Sequence, residues 1–168
     1  MKKKIKFLVL DVDGTLTDGK IYMGDSGEIM KAFNIKDGYS IKEILPELKI
    51  IPIVITGRKS KIVEKRCKEL EIKEVYQGCG KKREQLQNIL QEYSVKNKEC
   101  YTFSNCAYCG DDLIDFECMQ EIKQAGGVIG CPQDAVTSIR EISDFISTKS
   151  GGEGAVREFV DFLKNDII

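Results

Sequence analysis

The apolar run Phe7-Leu8-Val9-Leu10 ends in two carboxylates, Asp11 and Asp13, one residue apart, and a Gly14-Thr15 turn follows at once. In a strand, side chains at i and i+2 point the same way. Leaving the strand at Gly14 puts both acids at the carboxyl end of a sheet, where open α/β folds bind ligands. Two like charges so close resist ionising together unless a cation or a shared proton relieves them. The pair implies Mg²⁺, acid/base work, or both. Asp and Gly also make plain turns, but three further segments fit the same chemistry: Thr56-Gly57-Arg58, Lys82 and Gly110-Asp111-Asp112.

Each of those segments is weak alone. Thr-Gly-Arg is a common helix start, a lone Lys is usually solvated, and Gly-Asp-Asp could be an N-cap with a dipole-favoured acid. The ordered set is stronger than its parts, and it suits phosphoryl transfer. That chemistry needs a nucleophile, an acid/base, a metal to neutralise phosphate charge, and donors around the equatorial oxygens. The chain has no histidine, which removes Ser-His and Cys-His nucleophile schemes and His-ligated metals. Carboxylates can fill the first three roles. Asp11 would attack phosphorus and form an aspartyl phosphate. Asp13 would protonate the leaving alkoxide and then activate water. Asp111 would complete a hard oxygen site for Mg²⁺. Thr56 and Lys82 would hold the phosphoryl oxygens.

The groups must be positioned by alternating strands and helices. Ile5 to Leu10 reads as a buried strand, and Lys20 to Asn34 as a hairpin turning at Gly24-Asp25-Ser26-Gly27. Tyr39 to Leu48 reads as a short helix broken late by Pro46, Ile50 to Ile55 as a strand, and Ser60 to Leu70 as a helix. Then come a strand at Glu74 to Tyr76, a helix from Lys81 to Tyr93, a polar irregular stretch from Val95 to Asn105, and a strand from Cys106 to Cys109. A helix from Asp112 to Lys123, a strand at Gly127 to Ile129, a helix from Pro132 to Ile142 and a strand at Phe145-Ile146 follow. The closing helix, Gly154 to Leu163, carries Ala155, Val156, Phe159, Val160 and Leu163 on one face. Such alternation builds an α/β fold: a parallel sheet with helices on both faces, plus a β-hairpin insertion. In that sheet Asp11, Asp13, Thr56, Asp111 and Lys82 share one edge.

A chain of 168 residues suits one domain spanning 1–168. With 42% apolar and 32% charged residues it reads as soluble and globular. A net charge of −1 argues against a nucleic-acid or membrane partner found by bulk charge. Met1-Lys2-Lys3-Lys4 could mimic a signal n-region, but the apolar run after it is too short and Asp11 ends it. The expectation is a cytoplasmic protein. Seven cysteines, an odd number, then read as reduced thiols. Cys106-Ala-Tyr-Cys109 matches C-x-x-C, but within a strand its two thiols would point to opposite faces.

Asp11-Val-Asp-Gly-Thr-Leu-Thr17, Thr56-Gly57, Lys82 and Gly110-Asp-Asp-Leu-Ile-Asp115 resemble the four motifs of the haloacid dehalogenase superfamily. Thr17-Asp-Gly-Lys-Ile-Tyr-Met23, Lys31-Ala-Phe-Asn-Ile-Lys-Asp-Gly-Tyr39, Thr56-Gly-Arg-Lys59, Tyr76-Gln-Gly78 and Gly151-Gly-Glu-Gly-Ala-Val-Arg-Glu158 are similar to 3-deoxy-D-manno-octulosonate 8-phosphate phosphatases. The resemblance implies a Rossmann-like fold, Mg²⁺ as cofactor, a homotetramer, and a small sugar-acid phosphate as substrate. It implies that Mg²⁺ contacts Asp11, the Asp13 carbonyl oxygen and Asp111. It implies that Asn34, Lys36, Asp37 and Gly38 of one turn, with Arg58, Arg66 and Lys82, line the substrate site. Lys42 stands where that family often has Arg, and Lys lacks the planar fork that grips a carboxylate bidentately. Arg157, behind the glycines at 151, 152 and 154, is expected to ride on a mobile hinge and to act at a neighbouring active site.

Haloacid dehalogenase enzymes often carry a cap domain between these motifs. Here Asp13 to Thr56 leaves room only for a hairpin and a helix, and Thr56 to Lys82 only for a helix and a short strand. No cap domain is therefore expected, and a neighbouring subunit could act as the lid, with the Ile21 to Phe33 hairpin as assembly strand. Alternatives are a nonulosonate 9-phosphate phosphatase, a non-catalytic oligomerisation or regulatory domain of the same fold, and an aspartyl-phosphate receiver domain. Receiver domains place the acidic pair and the phosphorylated Asp on different strands, whereas Asp11 and Asp13 are expected to share one strand with Gly-Thr.

Overall fold

A computed structural model describes residues 3–167. Strand β1 (Phe7–Leu10) leads into the Asp11–Thr17 loop, and the hairpin β2 (Tyr22–Gly24) and β3 (Gly27–Met30) follows. A helical stretch then runs through α1 (Ile35–Tyr39), a π turn (Ser40–Ile44) and α2 (Leu45–Glu47). Next come β4 (Ile51–Thr56), α3 (Lys61–Glu69), β5 (Glu74–Gln77) and α4 (Lys82–Asn97). After a 3₁₀ turn (Phe103–Asn105) the chain forms β6 (Cys106–Cys109), α5 (Leu113–Gln124), β7 (Val128–Cys131), α6 (Thr137–Ile142), β8 (Phe145–Ile146) and α7 (Ala155–Phe162).

The main sheet is parallel, with strand order β5-β4-β1-β6-β7-β8, and the hairpin stands apart from it. From β1 the chain winds outward through β4 and β5, then crosses back to β6 and winds the other way. The gap between the carboxyl ends of β1 and β6 is thus the topological switch point, where such sheets hold ligands. Pro52 is tolerated inside β4 because Ile51 donates to Lys6 on the β1 side, which turns the Pro52 nitrogen toward β5, and β5 pairing starts only at Ile53.

Alternation along β1 splits the core into two layers. Leu8 and Leu10 pack with Val63 and Cys67 of α3, and with Val156, Phe159 and Val160 of α7. Phe7 and Val9 pack with Leu86, Ile89 and Leu90 of α4, and with Cys118, Met119 and Ile122 of α5. Asp11 continues the Phe7-Val9 series and so faces the α4/α5 layer. Cys106 lies in that second layer and Cys109 in the first, so the C-x-x-C thiols sit on opposite faces of the sheet. All seven cysteines are free. Among the described residues, only the hairpin and the helical stretch separate Asp13 from Thr56. Among the described residues no helix is long and apolar enough to cross a membrane.

Of the boundaries that differ from the sequence expectation, three are helix ends that bear on how the site is built. The Asn34–Gly38 turn is already helical: Asn34 caps α1 by accepting the Lys36 N–H at 2.8 Å. Helix α4 runs past Tyr93 to Asn97, ending where Lys98 takes a left-handed backbone. Helix α6 starts only at Thr137, because Pro132–Val136 is a turn whose Val136 N–H bonds the Asp111 carbonyl at 3.0 Å.

Candidate active site

Three elements bring a buried charge network to the switch point. Asp11 leaves β1, Lys82 opens α4, and Asp115 sits in the first turn of α5. Lys82 Nζ donates to Asp11 Oδ1 at 2.6 Å and to Asp115 Oδ1 at 2.7 Å, and all three side chains are buried. Asp115 also accepts the Tyr108 hydroxyl at 2.6 Å and the backbone N–H groups of Asp111 and Asp112 at 3.2 and 3.3 Å. Thr15 donates its hydroxyl to Asp111 Oδ1 at 2.9 Å. A Cβ at position 14 would overlap the Asp111 carboxylate, and the φ of 98° there also suits glycine.

Burial dominates the electrostatics. It pushes the Asp11 carboxyl up to about 6, with Asp115 adding to the rise and Lys82 opposing it. It pushes Asp111 up to about 8, helped by Asp11 and Asp115 and opposed by the Thr15 hydrogen bond. Burial alone would lower Lys82, but the Asp11 and Asp115 carboxylates outweigh it and raise the group. Carboxylate oxygens of Asp11, Asp111 and Asp115 lie within 4.8 Å of one another. One ammonium cannot balance three acids at that spacing, so the cluster favours a divalent cation. The donors are hard oxygens, as Mg²⁺ prefers. Residues Asp11 and Asp111 belong to the expected metal set. Asp115 was not in that set, and the Asp13 carboxylate is outside this cluster.

Strand β1 ends at Leu10, so Asp13 lies in the turn and does not share the surroundings of Asp11. It pairs instead with the hairpin. Lys31, just past β3, bonds Asp13 Oδ1 and lies 3.0 Å from Glu28 Oε1, with its own side chain 1% exposed. Glu28 in turn accepts the hydroxyl of Ser60, the N-cap of α3. Arg58 comes within 3.9 Å of Asp13 and 3.8 Å of Glu28. Thr56 closes β4, two residues past the Val54–Leu10 pair, which sets it beside the Asp11–Asp13 loop.

The other expected substrate residues divide. Asn34, Asp37, Gly38 and Arg66 line one small cavity of about 10 Å³, behind Val12 and Leu16 of the Asp11–Thr17 loop. Gly38 makes room for Arg66, since a Cβ there would overlap its guanidinium. Lys36 is exposed on α1. Lys42 is tied to the Glu69 carbonyl at 3.1 Å and to Glu71 at 3.0 Å. Arg157 is directed within its own chain: its guanidinium bonds Asp161 at 2.8 Å and lies over the Tyr39 ring. The glycine segment is hydrogen-bonded at two points. Gly152 donates to the Thr15 carbonyl at 3.1 Å and Gly151 to Asp134 at 2.9 Å. A Cβ on Gly151 would overlap the Gly14 carbonyl oxygen, so the glycines serve close packing on the Asp11–Thr17 loop. The segment behind them is the core helix α7.

Asp37 anchors that helix: its Oδ1 accepts the Arg157 N–H at 2.8 Å. Burial raises its carboxyl from 3.8 to about 6. An acid whose folded value is raised contributes stability below 3.8 and loses it as the pH climbs through about 6. Asp37→Asn keeps an acceptor and removes the charge. It is expected to raise stability at pH 8 by up to about 3 kcal/mol, the Arg66 attraction being already included in the raised value, with no gain at pH 3.5. Thermal melts across that range check this. An equal effect at both pH values would show that the buried charge is not the cause.

No family model matches the chain. The 3-deoxy-D-manno-octulosonate 8-phosphate phosphatase KdsC of Escherichia coli K12 is 41% identical over 161 residues, covering 96% of this chain and 80% of the relative. The Yersinia pestis phosphatase of the same name is 36% identical, covering 95% and 79%. The Moraxella catarrhalis 3-deoxy-D-manno-octulosonate 8-phosphate phosphatase, solved with magnesium, phosphate and KDO, superposes with a TM-score of 0.83 at 37% identity, covering 96% of this chain and 86% of that one. A haloacid dehalogenase superfamily (subfamily III A) hydrolase from Legionella pneumophila superposes with a TM-score of 0.86 at 32% identity, covering 97% and 84%. With a six-stranded parallel sheet, a separate hairpin and these acids at its switch point, the chain belongs to the 3-deoxy-D-manno-octulosonate 8-phosphate phosphatase family of the haloacid dehalogenase superfamily.

Proposed function

We propose that this protein is a Mg²⁺-dependent phosphomonoesterase that hydrolyses 3-deoxy-D-manno-octulosonate 8-phosphate through an aspartyl phosphate. The observation that carries the reading is Asp11, buried at the switch point and held by Lys82 beside Asp111. Lys82 fixes one Asp11 oxygen and leaves the other to attack phosphorus. As the phosphorus–oxygen bond of the substrate breaks, Asp13 gives its proton to the departing alkoxide. Asp13 then takes a proton from water, which attacks the phosphoaspartate, releasing inorganic phosphate and restoring the Asp11 carboxylate. Thr56 and Lys82 donate to the phosphoryl oxygens as charge develops. Asp11, Asp111 and the Asp13 carbonyl oxygen would hold Mg²⁺, which supplies neutralisation of the phosphate charge. Arg58 and the Asn34–Gly38 stretch face the sugar acid, with Arg66 behind them.

Assembly as a homotetramer in the cytoplasm belongs to the same proposal. Met23, Ile29 and Met30 of the hairpin and Ile35 and Tyr39 beside it are exposed, an apolar surface that a second subunit would cover. The eight-carbon substrate is favoured over nine-carbon acids by the relatives' names. Phosphate release from a panel of sugar-acid phosphates, with and without Mg²⁺, tests the reading. Preference for a nine-carbon phosphate would move the substrate, and no turnover of any would leave a non-catalytic domain.

Activity is expected to vanish in excess chelator, to return with Mg²⁺, and not to return with Ca²⁺. Calcium takes more ligands in looser geometry and would misplace the attacking carboxylate. Full turnover in chelator would remove the metal from the mechanism.

A further inference from the structure

We infer that Lys31 is a positioning residue for proton transfer: it holds the Asp13 carboxylate in its working orientation and ties it to the β2–β3 hairpin. The inference rests on Asp13 being the proton carrier.

Asp13 lies in a turn, outside the pairing of the sheet, with its side chain 19% exposed. Its close side-chain partner is Lys31, which is itself almost fully buried. A buried ammonium is tolerated only when paired, and here two carboxylates pair it. The second of them, Glu28, is pinned by the Ser60 hydroxyl. Ser60 is pinned in its turn, since its oxygen caps the Ile62 and Val63 N–H groups and its own N–H bonds Gln77 at 2.7 Å. The chain Gln77–Ser60–Glu28–Lys31–Asp13 therefore runs from the rigid carboxyl ends of β4 and β5, through the hairpin, to the acid. Arg58 approaches the same two carboxylates, but from farther away and with a side chain 44% exposed. It can supply charge but not the same fixity. A general acid acts only within about 2.6–3.2 Å of the oxygen it protonates. A misplacement of about 1 Å can cost on the order of 10²-fold.

The test uses the leaving group. A sugar alkoxide needs a proton as it departs, whereas 4-nitrophenolate does not. Phosphoryl transfer to the enzyme is measured in single turnover with 3-deoxy-D-manno-octulosonate 8-phosphate and with 4-nitrophenyl phosphate, for wild type, Lys31→Met, Lys31→Arg and Asp13→Asn. Lys31→Met is expected to slow transfer from the sugar phosphate by ~10–100-fold and the 4-nitrophenolate burst by less than about threefold. Lys31→Arg, which can restore both ion pairs, is expected to recover most of the loss. Equal slowing of both substrates by Lys31→Met, or slowing of neither, overturns the inference, provided Asp13→Asn does discriminate between them. If Asp13→Asn itself fails to discriminate, the role of Asp13 is wrong and the inference falls with it. Should Lys31→Met fail to fold by circular dichroism, Glu28→Gln replaces it, because it loosens the anchor of Lys31 without emptying the site. A selective loss of about threefold or more in Glu28→Gln supports the inference, and a uniform or absent loss overturns it.

Discussion

Replacing Asp11 with Asn is expected to abolish phosphate release, lowering kcat on the order of 10⁵-fold or more, while leaving the fold intact. The amide keeps the shape of the carboxylate, and its oxygen can still accept from Lys82. It cannot attack phosphorus at a useful rate. The neighbouring acids are no substitute: Asp111 is held by Thr15, and Asp115 by Lys82, Tyr108 and two backbone N–H groups. Stability should not suffer, since burial already disfavours a charge at position 11. Steady-state phosphate release, acid-quench trapping of a phosphoenzyme and a thermal melt check all of this together. Turnover within tenfold of wild type would end the covalent role of Asp11, and a trapped phosphoenzyme in the variant would move the nucleophile to another residue.

How much of this site could be read from sequence depends on what each residue needs. Asp11 was legible because an apolar run ending in an acid before Gly-Thr has few other uses. Asp115 was hidden by an ordinary explanation: Asp112 and Asp115 form a capping box, which accounts for both acids without any chemistry. Its second oxygen is the one that meets Lys82, and only the packing of α4 against α5 reveals that. Lys31 was hidden by periodicity. Glu28 and Lys31 are three apart, which in a continuous strand would face them away from each other. The strand ends at Met30, and the next residue swings back to the site. Gly38 masked the start of α1, because a glycine inside a short helix weakens it. It is retained because Arg66 occupies the space of its Cβ. Helix α6 was placed five residues early since Pro132 fits a first helical turn, while the tie from Val136 to Asp111 is a long-range contact with no local signature. Local rules served wherever the chain's neighbours in sequence were also its neighbours in space.

Replacing Lys82 with Met is expected to cost both activity and stability, and the stability loss should depend on pH. The ammonium is the shared partner of two buried carboxylates, 2.6 Å from Asp11 and 2.7 Å from Asp115. Removing one member of a buried ionic network leaves uncompensated charge, typically about 3–5 kcal/mol destabilising. The chain has a cheaper way out than unfolding, because Asp11 can take up a proton. Its carboxyl already sits at about 6 with Lys82 opposing the rise, so loss of the ammonium moves it higher. An acid raised in the folded state is least harmful below its unfolded value and most harmful above its folded one. The deficit against wild type should therefore be small near pH 4 and full at pH 8. A divalent cation can replace the missing charge at the same carboxylates, so Mg²⁺ should restore part of the melting temperature at pH 8 without restoring turnover, since the phosphoryl oxygens still lack their donor. Melts at both pH values with and without Mg²⁺, beside phosphate release, separate the two effects. A deficit equal at pH 4 and pH 8 and untouched by Mg²⁺ would mean that Lys82 contributes by packing its methylenes rather than by balancing Asp11 and Asp115.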